Sequence, residues 1–303
     1  MLEHKLLLAG RFSDCGQAAG EHCGIRPLLN LKRFSPTDTP SWMLELVNPR
    51  IILVRMKTKK ISKCIYCLSP NSPIDEHVIP LSLGGQSTLQ LASCQNCADI
   101  TSAIITKTTH GIDSLFGKTR IILQMPSRRK KNRPKTLSQK VIDENTNKFD
   151  NIDVATSEFV DDVYLPIYPL PGIITKNVVN HGIITEGIQV IHANPNKAKK
   201  GKKYIHEFRW DSYDFPKLLA LIAYCTAVDE FGLETVSDSP LVPIILGKTD
   251  DFGTWIGTAN DYVMKMQNKL VDVAYNRPNG HFLMRIKFFN WLTDMPEYLV
   301  GVK

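Results

Sequence analysis

Two cysteine pairs, Cys64-x-x-Cys67 and Cys94-x-x-Cys97, constrain this chain more than any other feature. Each pair presents two sulfurs from one tight turn, and two such knuckles supply the four thiolates that close a tetrahedral zinc site. Twenty-six residues separate Cys67 from Cys94, whereas an ordinary zinc ribbon uses roughly 15–20. The surplus is what an inserted hairpin needs, and a bare hairpin is marginal in water. Thiolates suit a borderline-soft ion, and four of them leave no position for water, so the zinc is expected to be structural. Cys15, Cys23 and Cys225 stand apart from the knuckles, and Cys225 lies in an apolar run and reads as core.

Composition narrows the class. The chain has 303 residues, 43% of them hydrophobic, enough for one large or two ordinary domains with a real core. No apolar run reaches the length of a membrane span, and the Leu6-Leu7-Leu8 stretch is too short for a secretory segment. A cytoplasmic protein with no membrane partner is therefore expected. With seven cysteines, an odd number, in such a chain, metal is favoured over disulfides. The formal charge of +7 suits a polyanionic partner.

Four regions follow from the local pattern. Residues 1–55 show no clear period and read as a weakly structured extension. Residues 56–126 carry the knuckles, with strand character from Val78 to Leu83, a Gly84-Gly85 turn, a returning strand through Leu89 and Leu91, and a helix from Asn96. Residues 127–162 read as a linker, first basic, then acidic. Residues 163–303 mix elements. Strands are expected over Gly187–Ala193 and Tyr204–Trp210, flanking a lysine-rich loop, and later over His281–Phe289 and Tyr298–Val302. A buried helix is expected from Phe215 to Phe231, with Asp214 as cap, Pro216 in its first turn and Gly232 at its end. Pro243 interrupts the run Leu241–Leu246, which leaves at most a short buried strand after it. The expected class is α+β: a small zinc-bound unit joined to a mixed α+β C-terminal domain.

Between the knuckles lies Asp75-Glu76-His77-Val78-Ile79-Pro80. A histidine accepts a proton near neutral pH, and a carboxylate beside it suits a hard divalent cation. Adjacent side chains on a strand point to opposite faces. Glu76 and His77 therefore serve one site only if the backbone bends there, or if the following helix offers ligands from the other side.

Cys-x-x-Cys, then Glu-His-Val-Ile-Pro-Leu-x-Leu-Gly-Gly, then Ser-Cys-x-x-Cys leading a helix, resembles the HNH endonuclease family over roughly residues 60–110. The resemblance implies a ββα-metal fold, hydrolysis of phosphodiester bonds, His77 as general base, and Glu76 as ligand of a catalytic Mg or Mn ion. Two motif positions depart from the family. Ala98 follows the last cysteine where relatives carry Asn or His, which makes Asp99 the expected second ligand; Asp75 stands in reserve, otherwise a turn residue. No Asn lies between Val78 and Gln95, so either Gln86, Thr88, Gln90 or a backbone carbonyl orients the histidine, or that role is unfilled.

Arg128, Arg129, Lys130, Lys131, Arg133 and Lys135 follow this unit directly and are the expected contacts to the backbone of nucleic acid, DNA in particular. A second cluster, Lys197, Lys199, Lys200, Lys202 and Lys203, either tracks the same backbone or keeps a hairpin soluble. The first functional reading is a metal-dependent endonuclease. The alternative is a zinc-stabilised nucleic-acid-binding protein without catalysis, and a third is a protein-interaction factor with an architectural zinc unit.

Overall fold

The stretch 214–231 folds as one helix, and its sequence leaves no side for water: fourteen of its residues, from Asp214 to Val228, are buried. A helix apolar all round must be covered all round, and the rest of the fold is that covering. The computed structural model describes residues 4–10, 50–51, 58–111, 114–122, 134–160, 162–177, 182–192, 197, 199, 201–210, 212–259, 271–276, 282–289 and 295–303.

In chain order the strands and longer helices are β1 (His4–Gly10), β2 (Arg50–Ile51), β3 (Thr58–Lys60), β4 (Ile74–His77), β5 (Thr88–Ser93), α1 (Gln95–Thr109), α2 (Gly117–Ile122), β6 (Thr136–Asp143), β7 (Phe149–Ala155), β8 (Asp162–Ile167), β9 (Gly187–His192), β10 (Lys202–Trp210), α3 (Asp214–Phe231), α4 (Leu241–Ile245), β11 (Ile256–Ala259), β12 (Val271–Asn276), β13 (Leu283–Phe288) and β14 (Glu297–Gly301). The class is α+β. The strands form sheets ordered β1-β10-β6-β7, β11-β14-β13-β12-β2 and β3-β5-β4, with a separate β8-β9 pair. All pairings are antiparallel except β3 with β5.

One face of the five-stranded sheet covers α3. Phe288 and Tyr298, on neighbouring strands, bring their rings to 5.8 and 5.2 Å from Phe215. The cysteine-knuckle unit covers another side. The Tyr224 hydroxyl donates to Ile65 O at 2.5 Å, and the Tyr66 ring lies 5.8 Å from that of Tyr224. Lys59 Nζ donates to the carbonyls of Val228 (3.2 Å) and Asp229 (3.0 Å) at the end of α3, where a cation suits the negative pole of the helix. Lys107, on the last turn of α1, pairs with Asp214 on the first turn of α3 at 3.3 Å. The last turn of α1 is thus tied to the first turn of α3, and β3 to the end of α3. Residues from Cys64 to Phe116 and from Val163 to Val302 share one hydrophobic core. The two regions set apart in the sequence are thus not independent.

Several expectations are corrected. The strand expected over 78–83 ends at His77, because Pro80 has no N–H for the ladder; residues 81–83 form a 3-10 turn whose Leu83 fills the core beside Val78 and Ile79. The run 241–246 is helix α4, not the approach to a strand, because Pro243 falls in its first turn, where an N–H has no intrahelical partner. Asp214 opens α3 without capping it; Tyr213 stands at the cap position. The segment read as linker contains β6 and β7, a hairpin whose buried Leu137, Gln139 and Val141 alternate with more exposed neighbours. Residues 1–55 contribute β1 and β2 to two sheets, beside β10 and β12. Strands β9 and β10 do not pair with each other: β9 pairs with β8, and β10 lies between β1 and β6. Lysines between them and at the start of β10 meet the acidic stretch, as Lys202–Asp143 (2.7 Å), Lys197–Glu158 (3.0 Å) and Lys203–Glu144 (3.9 Å). That complementarity favours the structural role for the second basic cluster.

Candidate metal centre and acid–histidine site

The first knuckle is a turn closed by Leu68 N–H on Cys64 O (2.9 Å) and Cys64 N–H on Ser69 O (2.8 Å). The second is the start of α1, where Cys94 is the cap residue and its carbonyl accepts from Ala98 N–H at 2.9 Å. Parallel pairing of β3 with β5, and the bond from Ile65 N–H to Ala92 O (2.8 Å), bring the two together. The four sulfurs lie within 4.8 Å of one another, with Cys67 and Cys94 3.6 Å apart. Four thiolates at about 2.3 Å from a tetrahedral ion stand about 3.8 Å apart, so the cluster fits a metal such as zinc. The Cys97 N–H holds the Cys94 thiol down to about 7, whereas burial pushes the Cys67 and Cys97 thiols up. One sulfur is thus readily ionised, and a bound cation would ionise the rest.

The hairpin between the knuckles is β4 and β5, and α1 follows it directly. Its register pairs Glu76 with Leu89 and His77 with Thr88, after an irregularity between Ile74 and Glu76. Asp75, held in reserve as a ligand, is used by that irregularity: its Oδ1 accepts from Leu91 N–H at 2.9 Å, at a residue with φ of 51°. Strand alternation then sends Glu76 inward, beside Leu89, and His77 to the opposite face. Glu76 is 6% exposed. Thr101 Oγ1 on α1 donates to its Oε2 at 3.4 Å, and the Tyr66 hydroxyl also reaches its carboxylate. Burial outweighs both bonds and raises the carboxyl to about 7.

Asp99 does not join Glu76. It lies on the exposed side of α1, accepting from Gln95 Nε2 at 2.7 Å. Two helical positions separate it from Thr101, about 200° of rotation, so the helix turns Thr101 to the strand and Asp99 to solvent. Among the described residues, the four cysteines alone form a group of three or more potential ligands within ligating reach. Sequence reasoning passed over Thr101, although its place four residues after the inward-facing Cys97 puts it on the same helical face.

The Gly84-Gly85 pair has a steric cause. Gly84 takes a φ of 84°, and a Cβ on Gly85 would sit 1.7 Å from Ile79 O. The turn these glycines close is held from outside by Arg120 of α2, which donates from Nε to Ser82 O (2.8 Å) and from its guanidinium to Thr109 O (2.5 Å). Thr109 Oγ1 also donates to Ser82 Oγ at 3.0 Å. The segment following His77 is therefore pinned to the far end of α1. Of the first basic cluster, Lys135 is exposed just before β6; Arg128, Arg129, Lys130, Lys131 and Arg133 lie outside the described residues, as do Cys15 and Cys23. No described helix is long and apolar enough to cross a membrane.

Comparison of the chain with protein-family models, with curated proteins and with solved structures finds no match.

Proposed function

We propose that this chain is a metal-dependent endonuclease of the HNH type, acting on phosphodiester bonds of DNA, with a structural zinc on Cys64, Cys67, Cys94 and Cys97. The observation that carries the reading is the Glu76–Thr101 contact: an acid at the end of a strand faces the second turn of the following helix, one residue before a histidine, in a hairpin–helix unit closed by four sulfurs. A carboxylate and a hydroxyl are hard oxygen donors of the kind that would suit Mg²⁺ or Mn²⁺. Such an ion, when bound, supplies Lewis acidity at the phosphoryl oxygens. Glu76 would hold it, with the Thr101 hydroxyl beside it, while Asp99 lies on the wrong face to contribute. As general base, His77 would take the proton of the attacking water, which requires the end of β4 to turn its imidazole back toward Glu76. The turn pinned by Arg120 fixes the backbone beyond it, and Lys135 with the basic cluster before it neutralises flanking phosphates.

A second reading is favoured by the depth of Glu76, which is buried and already bonded. On that reading the unit binds nucleic acid through its basic residues and does not cut. A plasmid-relaxation assay with Mg²⁺, Mn²⁺ or EDTA separates the two. The endonuclease cuts only with added metal, and His77→Ala lowers the rate about 10²–10⁴-fold while zinc content is unchanged. Equal cutting by His77→Ala refutes the catalytic assignment. Salt-sensitive DNA binding with no cutting by the parent chain establishes the second reading.

A further inference from the structure

The start of α3 and the loop after α4 flank an open depression of about 260 Å³, lined by Tyr213, Lys217, Lys248, Thr249, Asp250 and Phe252 around Gly247. It lies outside the proposed site but close to its helix, because Lys107 of α1 pairs with Asp214, the neighbour of Tyr213. Tyr213 and Lys217 stand one helical turn apart, on the same side of α3. Tyr213 is 43% exposed, and its ring rests 5.5 Å from that of Phe252, which is fully buried and anchors it.

The opposite wall is built by the end of α4. Gly247, at a φ of 68°, donates to Ile244 O (3.1 Å), and Lys248 N–H donates to Pro243 O (2.8 Å). These are the two bonds of a Schellman cap, which needs a left-handed residue at that position. The cap fixes the backbone of Lys248 across from Lys217, whose Nζ lies 3.7 Å from where a Gly247 Cβ would be. Thr249 Oγ1 accepts from Asp251 N–H at 3.3 Å and keeps its own O–H to donate. Two ammonium groups against the single carboxylate of Asp250 leave the lining positive.

We propose that this open depression seats one nucleoside phosphate unit of a nucleic-acid strand, its base against the Tyr213 ring and its phosphate between Lys217 and Lys248. An exposed aromatic face beside cations is how single strands are held without sequence readout, and lysines provide the phosphate contact as point charges. The seat deepens the nucleic-acid reading above and rests on it; it places the grip on the strand in the C-terminal region, at the end of α1 remote from the knuckles.

The test is binding by the full chain, zinc-loaded and without added Mg²⁺ or Mn²⁺, so that no cleavage enters the readout. The probes are a labelled single-stranded oligonucleotide, thymidine 5′-monophosphate and inorganic phosphate. Lys217→Ala/Lys248→Ala is expected to weaken oligonucleotide binding about tenfold and to reduce the slope of log K against log salt by about 0.7 for each phosphate that no longer meets a lysine. Tyr213→Leu is expected to weaken it about tenfold as well, and Tyr213→Phe to restore it, with melting temperature and zinc content unchanged throughout. The proposal is overturned if the double lysine variant keeps the parental affinity and slope, or if Tyr213→Leu and Tyr213→Phe behave alike. It is also overturned if inorganic phosphate binds as tightly as the nucleotide. Loss confined to the free nucleotide, with strand binding intact, overturns the strand as occupant. A chain that passes these tests but never cuts DNA keeps the seat and loses the endonuclease; the converse pattern keeps the endonuclease and loses the seat.

Discussion

Glu297→Gln is expected to destabilise the chain far more than an ordinary side-chain change. On the sheet face turned away from α3, Arg285 and Glu297 are 1% and 2% exposed, and Arg285 Nε donates to the Glu297 carboxylate. The register adds two more charges: Lys287 stands opposite Glu297 on β14 and opposite Asp272 on β12, and both are 5% exposed. The four charges cancel. Removing the Glu297 carboxylate leaves two cations facing one acid in a place water does not reach. Breaking such a buried pair costs about 3–5 kcal/mol, out of a stability on the order of 5–15 kcal/mol. Replacing both partners by apolar groups, in Arg285→Met/Glu297→Leu, removes the uncompensated charge and is expected to return most of that loss. Urea unfolding of the parent, Arg285→Met, Glu297→Leu and the double variant, at constant zinc, gives the coupling between the two sites. If Glu297→Gln costs under about 1 kcal/mol, or if the single losses simply add in the double variant, the pair carries no buried-charge energy and the reasoning fails.

Purified protein is expected to carry a metal ion on the knuckles, and Cys64→Ser to lose it and melt at lower temperature; elemental analysis and near-ultraviolet circular dichroism check this, and a metal-free parent with an unchanged melt refutes it. Gly85→Ala forces a Cβ onto Ile79 O and should cost on the order of 2–4 kcal/mol, whereas an open turn would tolerate it in the same urea experiment. The raised carboxyl of Glu76 makes the folded chain hold a proton that the unfolded chain releases near 4.5. That contribution to stability is complete below pH 4.5 and is lost as pH rises to about 7. At constant zinc, the parent should lose about 3 kcal/mol across this window relative to Glu76→Gln, and parallel pH profiles for the two proteins would contradict the burial of the acid.

What the sequence revealed of this fold depended on which force placed each residue. The knuckles were legible because metal chemistry fixes their spacing, and Phe215–Phe231 because a long apolar run ending at Gly232 has few other outcomes. The hairpin was legible in order but not in register: Val78, Ile79 and Leu83 are apolar because they pack beneath a turn, and a turn core and a strand core look alike by composition. β6 and β7 were hidden by charge. Their alternation is real, but lysines and acids dominate the eye, and the partner strand lies some sixty residues on in β10. Within the candidate site, Glu76 and His77 stood out by being adjacent, whereas Asp99 was chosen for its chemistry without regard to helical phase. Phase turned it outward and turned Thr101 in.

The position of α3 has a consequence for the knuckle unit. Ile65 and Tyr66, at the heart of the knuckle unit, are sealed by Tyr224 and Cys225 of a helix more than a hundred residues downstream. A fragment ending near residue 126 would bare that surface and should precipitate even with its zinc in place. The hairpin–helix unit is thus one wall of a larger building, and its inner surface needs the downstream helix to keep water out.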